Sequence, residues 1–136
     1  MSVIYPAISL AFWTLFLGLT VLFTRISSVN SGTVTMDFYK IFRGGEPPEA
    51  VIKTTRHWSN LYEAPTLFYV VCALILITGV QNMLLIQLAW AYVVIRIIHS
   101  LMHLTYNKVS HRLSMFLLSQ AVLITMWVLL LIYILE

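Results

Sequence analysis

Three sets of polar residues hold the chemistry open to this chain. Arg56, Asn60 and Glu63 are spaced i, i+4, i+7, which puts a guanidinium, an amide and a carboxylate on one helix face. Arg96, His99 and His103, at i, i+3, i+7, gather a guanidinium and two imidazoles in the same way. Arg112 is followed eight residues later by Gln120, again on one face. Guanidinium groups grip carboxylates and phosphates through a planar fork of donors. Imidazoles carry protons, make hydrogen bonds or bind metals. The i, i+4 spacing of His99 and His103 suits two metal ligands on a helix. The segment between them, Ser100-Leu101-Met102, lacks the glutamate of a zinc protease, and no cysteine or second acidic residue completes a site, so no metal is expected. Cys72 is the only cysteine, which excludes a disulfide within one chain, and a thiol in so apolar a run is inert. His57 and His111 are expected at the membrane surface in solvated positions.

The elements that must position these residues are membrane spans. Of 136 residues, 60% are hydrophobic and 10% charged, and the mean hydropathy is +0.91. A soluble domain is about 45–50% apolar and about 25% charged, so water is not the main solvent here. A bilayer-crossing helix needs about 20 apolar residues. Val3 to Phe23 and Leu113 to Leu135 supply 21 and 23 residues without a charge. Ala64 to Val80 and Met83 to Ile95 are shorter, at 17 and 13 residues. Each becomes long enough if its helix continues through the adjoining polar segment, with those polar groups facing the protein interior. The first run is expected to be a membrane span and not a signal peptide, since its n-region carries no positive charge and three more hydrophobic runs follow. The expectation is an all-α membrane protein, a single domain of four transmembrane helices over about 3–24, 55–80, 83–106 and 112–135.

The basic residues set an orientation. Arg25, Lys40, Arg43, Lys53 and Arg56 lie between spans one and two, Lys108 and Arg112 between spans three and four, and Arg96 inside span three. The turn between spans two and three has none. The positive-inside rule then puts both basic loops in the cytoplasm and both termini outside. The net charge of +3 is explained by these loops, and no nucleic-acid partner is expected. Pro47-Pro48 before Glu49 suits a helix start, Gly44-Gly45 punctuate the long loop, and Pro65 is expected to kink or break span two. Tyr5, Trp58, Tyr62 and Tyr106 suit the interfacial belts.

Arg96 is the most informative of these residues. Counted from Leu84 it lies about 18 Å along its helix, where an unpaired arginine costs at least a few kcal/mol. Glu63 is the one acidic residue within the spans and the natural partner. Such a pair either locks spans two and three together or lines a polar cavity for an anionic or zwitterionic ligand.

Arg56-x-x-x-Asn60-x-x-Glu63, then Pro65 and an apolar span, then Arg96-x-x-His99-Ser100-x-x-His103 and Arg112, resembles the MAPEG family, the membrane-associated proteins of eicosanoid and glutathione metabolism. The segments 60–69 and 96–112 look most like a bacterial branch. The resemblance implies a four-helix bundle forming a homotrimer in a bacterial inner membrane, with active sites between subunits near the cytoplasmic face. It implies glutathione as cofactor and a lipophilic small molecule arriving from the membrane lipids. Arg112 matches the arginine proposed to activate the thiol, and Asn60, Glu63 and His99 match glutathione-contacting positions. Arg56, Arg96 and His103 complete the expected binding set. The sequence also departs from the enzymes. Ser59 stands in place of a second arginine, His103 and Phe116 in place of tyrosines, and Leu113 in place of a serine found in one synthase branch.

Three functions follow as expectations. One is a glutathione-dependent transferase or peroxidase acting on lipophilic substrates. Another is a non-catalytic lipid-binding scaffold of the same fold, which the altered positions favour. A small transporter using Arg96 ranks last, because no inverted repeat supports it.

Overall fold

A computed structural model describes residues 2–41, 46–106 and 108–135 of the chain. Arg43, Gly44 and Gly45, and the side chain of Tyr62, lie outside the described residues. The elements are α1 (Ile4–Asn30), the short α2 (Phe38–Ile41), α3 (Glu49–Thr78), α4 (Met83–Leu104) and α5 (Val109–Leu135). The described residues contain no strand. All but α2 are long and apolar enough to cross a membrane, at 27, 30, 22 and 27 residues. The result is an all-helical, four-span bundle.

Local chemistry sets the helix ends. Pro48 stands before the first residue of α3 in an extended conformation, and Glu49 occupies the first turn, where a negative charge suits the exposed N–H groups. Glu49 pairs with Lys53 one turn on at 2.8 Å. Pro65 sits inside α3 without ending it. Gly79 closes α3 at φ 70°, a left-handed conformation that costs glycine little. Three residues later the Asn82 side chain accepts from Leu84 N at 2.7 Å and caps α4. The same side chain donates to Tyr133 Oη at 2.5 Å, so the turn is tied to the end of α5.

α1 and α3 extend past their apolar runs toward the basic loop. Their ends are joined by a Thr24–Thr54 hydroxyl contact of 3.0 Å and by Arg25 donating to Thr55 at 3.4 Å. The connection after α1 folds back on them. Val34 and Phe38 are buried, and the Tyr39 hydroxyl lies 2.6 Å from that of Ser28.

α1 packs mainly on α3, and α4 mainly on α5. The core between them is built from Leu10, Phe68, Ile75, Leu85, Tyr92, Leu123, Met126 and Leu130, with Phe68 and Tyr92 stacked at 4.4 Å. Gly18 of α1 faces Trp58 of α3. A Cβ there would lie 2.5 Å from Cη2 of Trp58, so the half-buried Trp58 ring fills the space glycine leaves. The outer surface is covered with apolar side chains such as Phe12, Phe23, Ile77 and Leu135. Lipid tails are as apolar as leucine, so such a belt loses nothing by facing them.

Candidate functional site

One face of α4 turns four polar residues inward. Arg96, His99, Ser100 and His103 are all buried in the half of the bundle nearest the two basic loops. Arg96, only 2% exposed, is held by aromatic groups. Its Nε donates to Tyr92 Oη at 3.2 Å, and its guanidinium lies 5.6 Å from the Tyr92 ring centre and 5.7 Å from that of Phe116. Each cation–π contact contributes about 0.5–2 kcal/mol. One Nη atom of Arg96 is buried with no hydrogen-bond partner.

The pairing expected with Glu63 does not occur within a chain. Glu63 is exposed on α3 and makes no ion pair with Arg96. The reason is rotational: the α3 face that packs inward carries Thr54, His57, Ala64, Phe68 and Val71, and the face with Arg56, Ser59, Glu63, Leu67 and Val70 looks outward. Asn60 lies between the two and is half-buried.

His57 is the second correction. Expected in a solvated position, it is 2% exposed. Its ring lies 4.6 Å from that of His103, at 39°, and 6.2 Å from that of His99. His99 and His103 are 6.4 Å apart. Both nitrogens of His57 and both of His103 are buried without hydrogen-bond partners. A signal for this was in the sequence. The stripe Val71, Phe68, Ala64, then His57, Thr54 and Val51 steps by three, four or seven residues, so His57 continues the apolar face of its helix. Although three imidazoles converge, no group of three His, Cys, Asp or Glu among the described residues is placed to hold a metal ion.

α5 closes the cluster. His99 Nδ1 lies 3.2 Å from the backbone carbonyl oxygen of Arg112. A carbonyl only accepts, so Nδ1 carries the proton and neutral His99 keeps its lone pair on Nε2. Arg112 itself is half-buried, and with Arg96 it stands within electrostatic reach of His57 and His99. Gln120, one face up from Arg112, is half-buried, and its side-chain nitrogen has no partner. The site therefore gathers two arginines and three histidines, and no acidic side chain among the described residues is buried with them. Such an arrangement attracts anions and steadies negative charge.

The sequence-based set is thus divided. Arg96, His99, His103 and Arg112 come together inside one chain; Arg56 and Glu63 lie on its outside. An apolar hollow of about 200 Å³ lined by Phe38, Pro47, Val51, Ile52 and Thr55 has Arg56 at its edge. A larger open cleft of about 620 Å³, lined in part by Val3, Ile75, Gly79, Asn82 and Ile86, is at the opposite end of the bundle and holds none of these residues.

The description of the MAPEG family matches residues 3–132, nearly the whole chain and every residue of the cluster. The chain belongs to the MAPEG family. This MAPEG protein is accordingly a multi-pass integral membrane protein of the family associated with glutathione and eicosanoid metabolism. No curated protein and no solved structure matches it.

Proposed function

We propose that this MAPEG protein is a glutathione-dependent transferase or peroxidase-like enzyme acting on lipophilic substrates, assembled as a trimer with its sites between neighbouring copies. The observation that carries the reading is a basic cluster with no buried acid among the described residues: Arg96, the half-buried Arg112 and the three histidines favour an anionic guest, and a thiolate beside an arginine is such a guest.

The outward strip of α3 supports the same reading. Glutathione carries two carboxylates, an ammonium and a thiol. Arg56 and Asn60 offer donors for a carboxylate, and Glu63 offers a partner for the ammonium. In a membrane-length helix these groups cannot face lipid cheaply, so a second copy set against that face would cover them and close the site. The hollow beside Arg56 gives an apolar tail a place to lie close to the polar groups. In this arrangement Arg112 supports the thiolate, Arg56, Asn60 and Glu63 hold the peptide, and Arg96, His99 and His103 line the inner wall. The basic loops would face the cytoplasm, where glutathione is supplied, and the lipophilic partner would enter from the bilayer.

One observation favours a second reading, a non-catalytic lipid-binding scaffold. The Phe116 ring, at a position where the family's enzymes have a tyrosine, lies over Arg96 and offers it no hydroxyl. Calorimetry with detergent-purified protein separates the two. Glutathione binding that disappears in Arg112→Ala is expected for the enzyme, and no binding at millimolar glutathione would leave the scaffold.

A further inference from the structure

The proposed reaction needs a destination for the thiol proton, and the cluster contains three imidazoles that could take it. His57 and His103 are poorly placed for that, since both nitrogens of each ring are sealed inside the bundle. His99 differs. Its Nδ1–H is committed to the Arg112 carbonyl at 3.2 Å, which fixes the ring and its tautomer. Its Nε2 makes no hydrogen bond and is not among the sealed buried atoms. The ring is thus a lone pair aimed from a rigid helix and anchored to the backbone of the same residue whose guanidinium supports the thiolate.

From this geometry we propose that His99 is the general base that deprotonates the thiol substrate. The inference rests on the glutathione reading above. The S–H bond breaks, the proton passes to His99 Nε2, and the electron pair stays on sulfur beside Arg112. The thiolate then attacks a carbon of the lipophilic electrophile. If that carbon is part of a conjugated double bond, the imidazolium returns the proton to the carbanion formed. If a leaving group departs with its electron pair, the proton passes to water. The charged and titratable groups around His99 are Arg96 and His103 on its own helix, His57 on α3 and Arg112 on α5. All are basic, and no carboxylate among the described residues is buried beside them, so the charge that balances the imidazolium is the thiolate it has just formed. The Arg112 carbonyl alone orients it.

The test uses the full-length protein in detergent, with glutathione as the thiol. Thiolate is read by its ultraviolet absorbance, and protons released on binding are counted with an indicator in weak buffer. The wild type should form thiolate without releasing a matching proton, since the proton stays on His99. His99→Asn keeps an N–H at the Nδ1 position for the Arg112 carbonyl but has no base at Nε2. It should bind glutathione, melt like the wild type and conjugate a chloronitrobenzene about a hundredfold more slowly, with thiolate either lost or matched by a released proton. A wild type that releases one proton per thiolate overturns the assignment to His99 and leaves the glutathione reading intact. Unchanged thiolate, proton count and rate in His99→Asn do the same. If that variant fails to fold, the wild-type proton count decides alone. Failure of the wild type to bind glutathione overturns the parent reading and the base with it.

Discussion

The polar strips of α3 and α4 have nearly the same spacing and opposite surroundings. On α4 an arginine and two histidines look into the bundle, and the arginine is packed between the rings of Tyr92 and Phe116. On α3 an arginine and a glutamate look out, although their helix is as long as a bilayer is thick. The inward strip is packed by its own chain, although one Nη of Arg96 and both nitrogens of His103 find no hydrogen-bond partner there. The outward strip, with charge and no cover, is settled by whatever lies against it. The contrast shows that helical periodicity tells which residues share a face and is silent on what the face meets.

If the inward strip is the chemical one, the largest effect should come from Arg112→Ala. Its backbone carbonyl still holds His99, so the protein should melt normally while glutathione conjugation falls about a hundredfold or more. Unchanged turnover would remove Arg112 from the chemistry. The outward strip is tested by Glu63→Gln. Because Glu63 is exposed in a single copy, the protomer's fold should be unaffected, and the glutathione affinity, read by calorimetry, should fall about tenfold, the weight of one charged contact. A variant that lowers thermal stability in dissociated protein and leaves affinity alone would show that the two strips had been assigned the wrong way round. Gly18→Ala should cost about 1–2 kcal/mol of stability, because the added methyl meets the Trp58 ring. The cost should appear in the thermal melt with affinity little changed, for the strain falls on the α1–α3 contact. The smallest effect belongs to His57→Phe. The ring contact with His103 is kept and two unpartnered buried nitrogens are removed, so stability should be equal or higher by up to about 1 kcal/mol. A marked loss would show that those nitrogens hold something essential in the working protein.

Much of the fold was legible because one period and one scale govern it. Apolar runs near 20 residues mark the spans, and Gly79 and Asn82 mark the turn between α3 and α4 by the ordinary chemistry of helix ends. The helices outrun the apolar runs at Arg25 and Glu49, since a helix leaving lipid needs satisfied backbone groups and not apolar side chains. The site was legible only in part. The inward set of Arg96, His99 and His103 follows from spacing on α4. The placement of His57 and Glu63 depends on the rotation of α3 about its axis, which the apolar stripe through Phe68 and Ala64 sets. Reading Glu63 by its charge alone sent it to Arg96, and reading His57 by its polarity alone sent it to water. In each case packing of the stripe outweighed the preference of the single side chain.

α4 is the shortest of the spanning helices. Its 22 residues extend about 33 Å, scarcely more than the ~30 Å hydrocarbon core of a bilayer. Such a helix has no slack to take up by tilting, and its last two turns carry His99 and His103. The acyl-chain length of the surrounding lipid therefore sets how deeply those rings sit, so reconstitution into bilayers of graded thickness would tune their hydration without touching a residue.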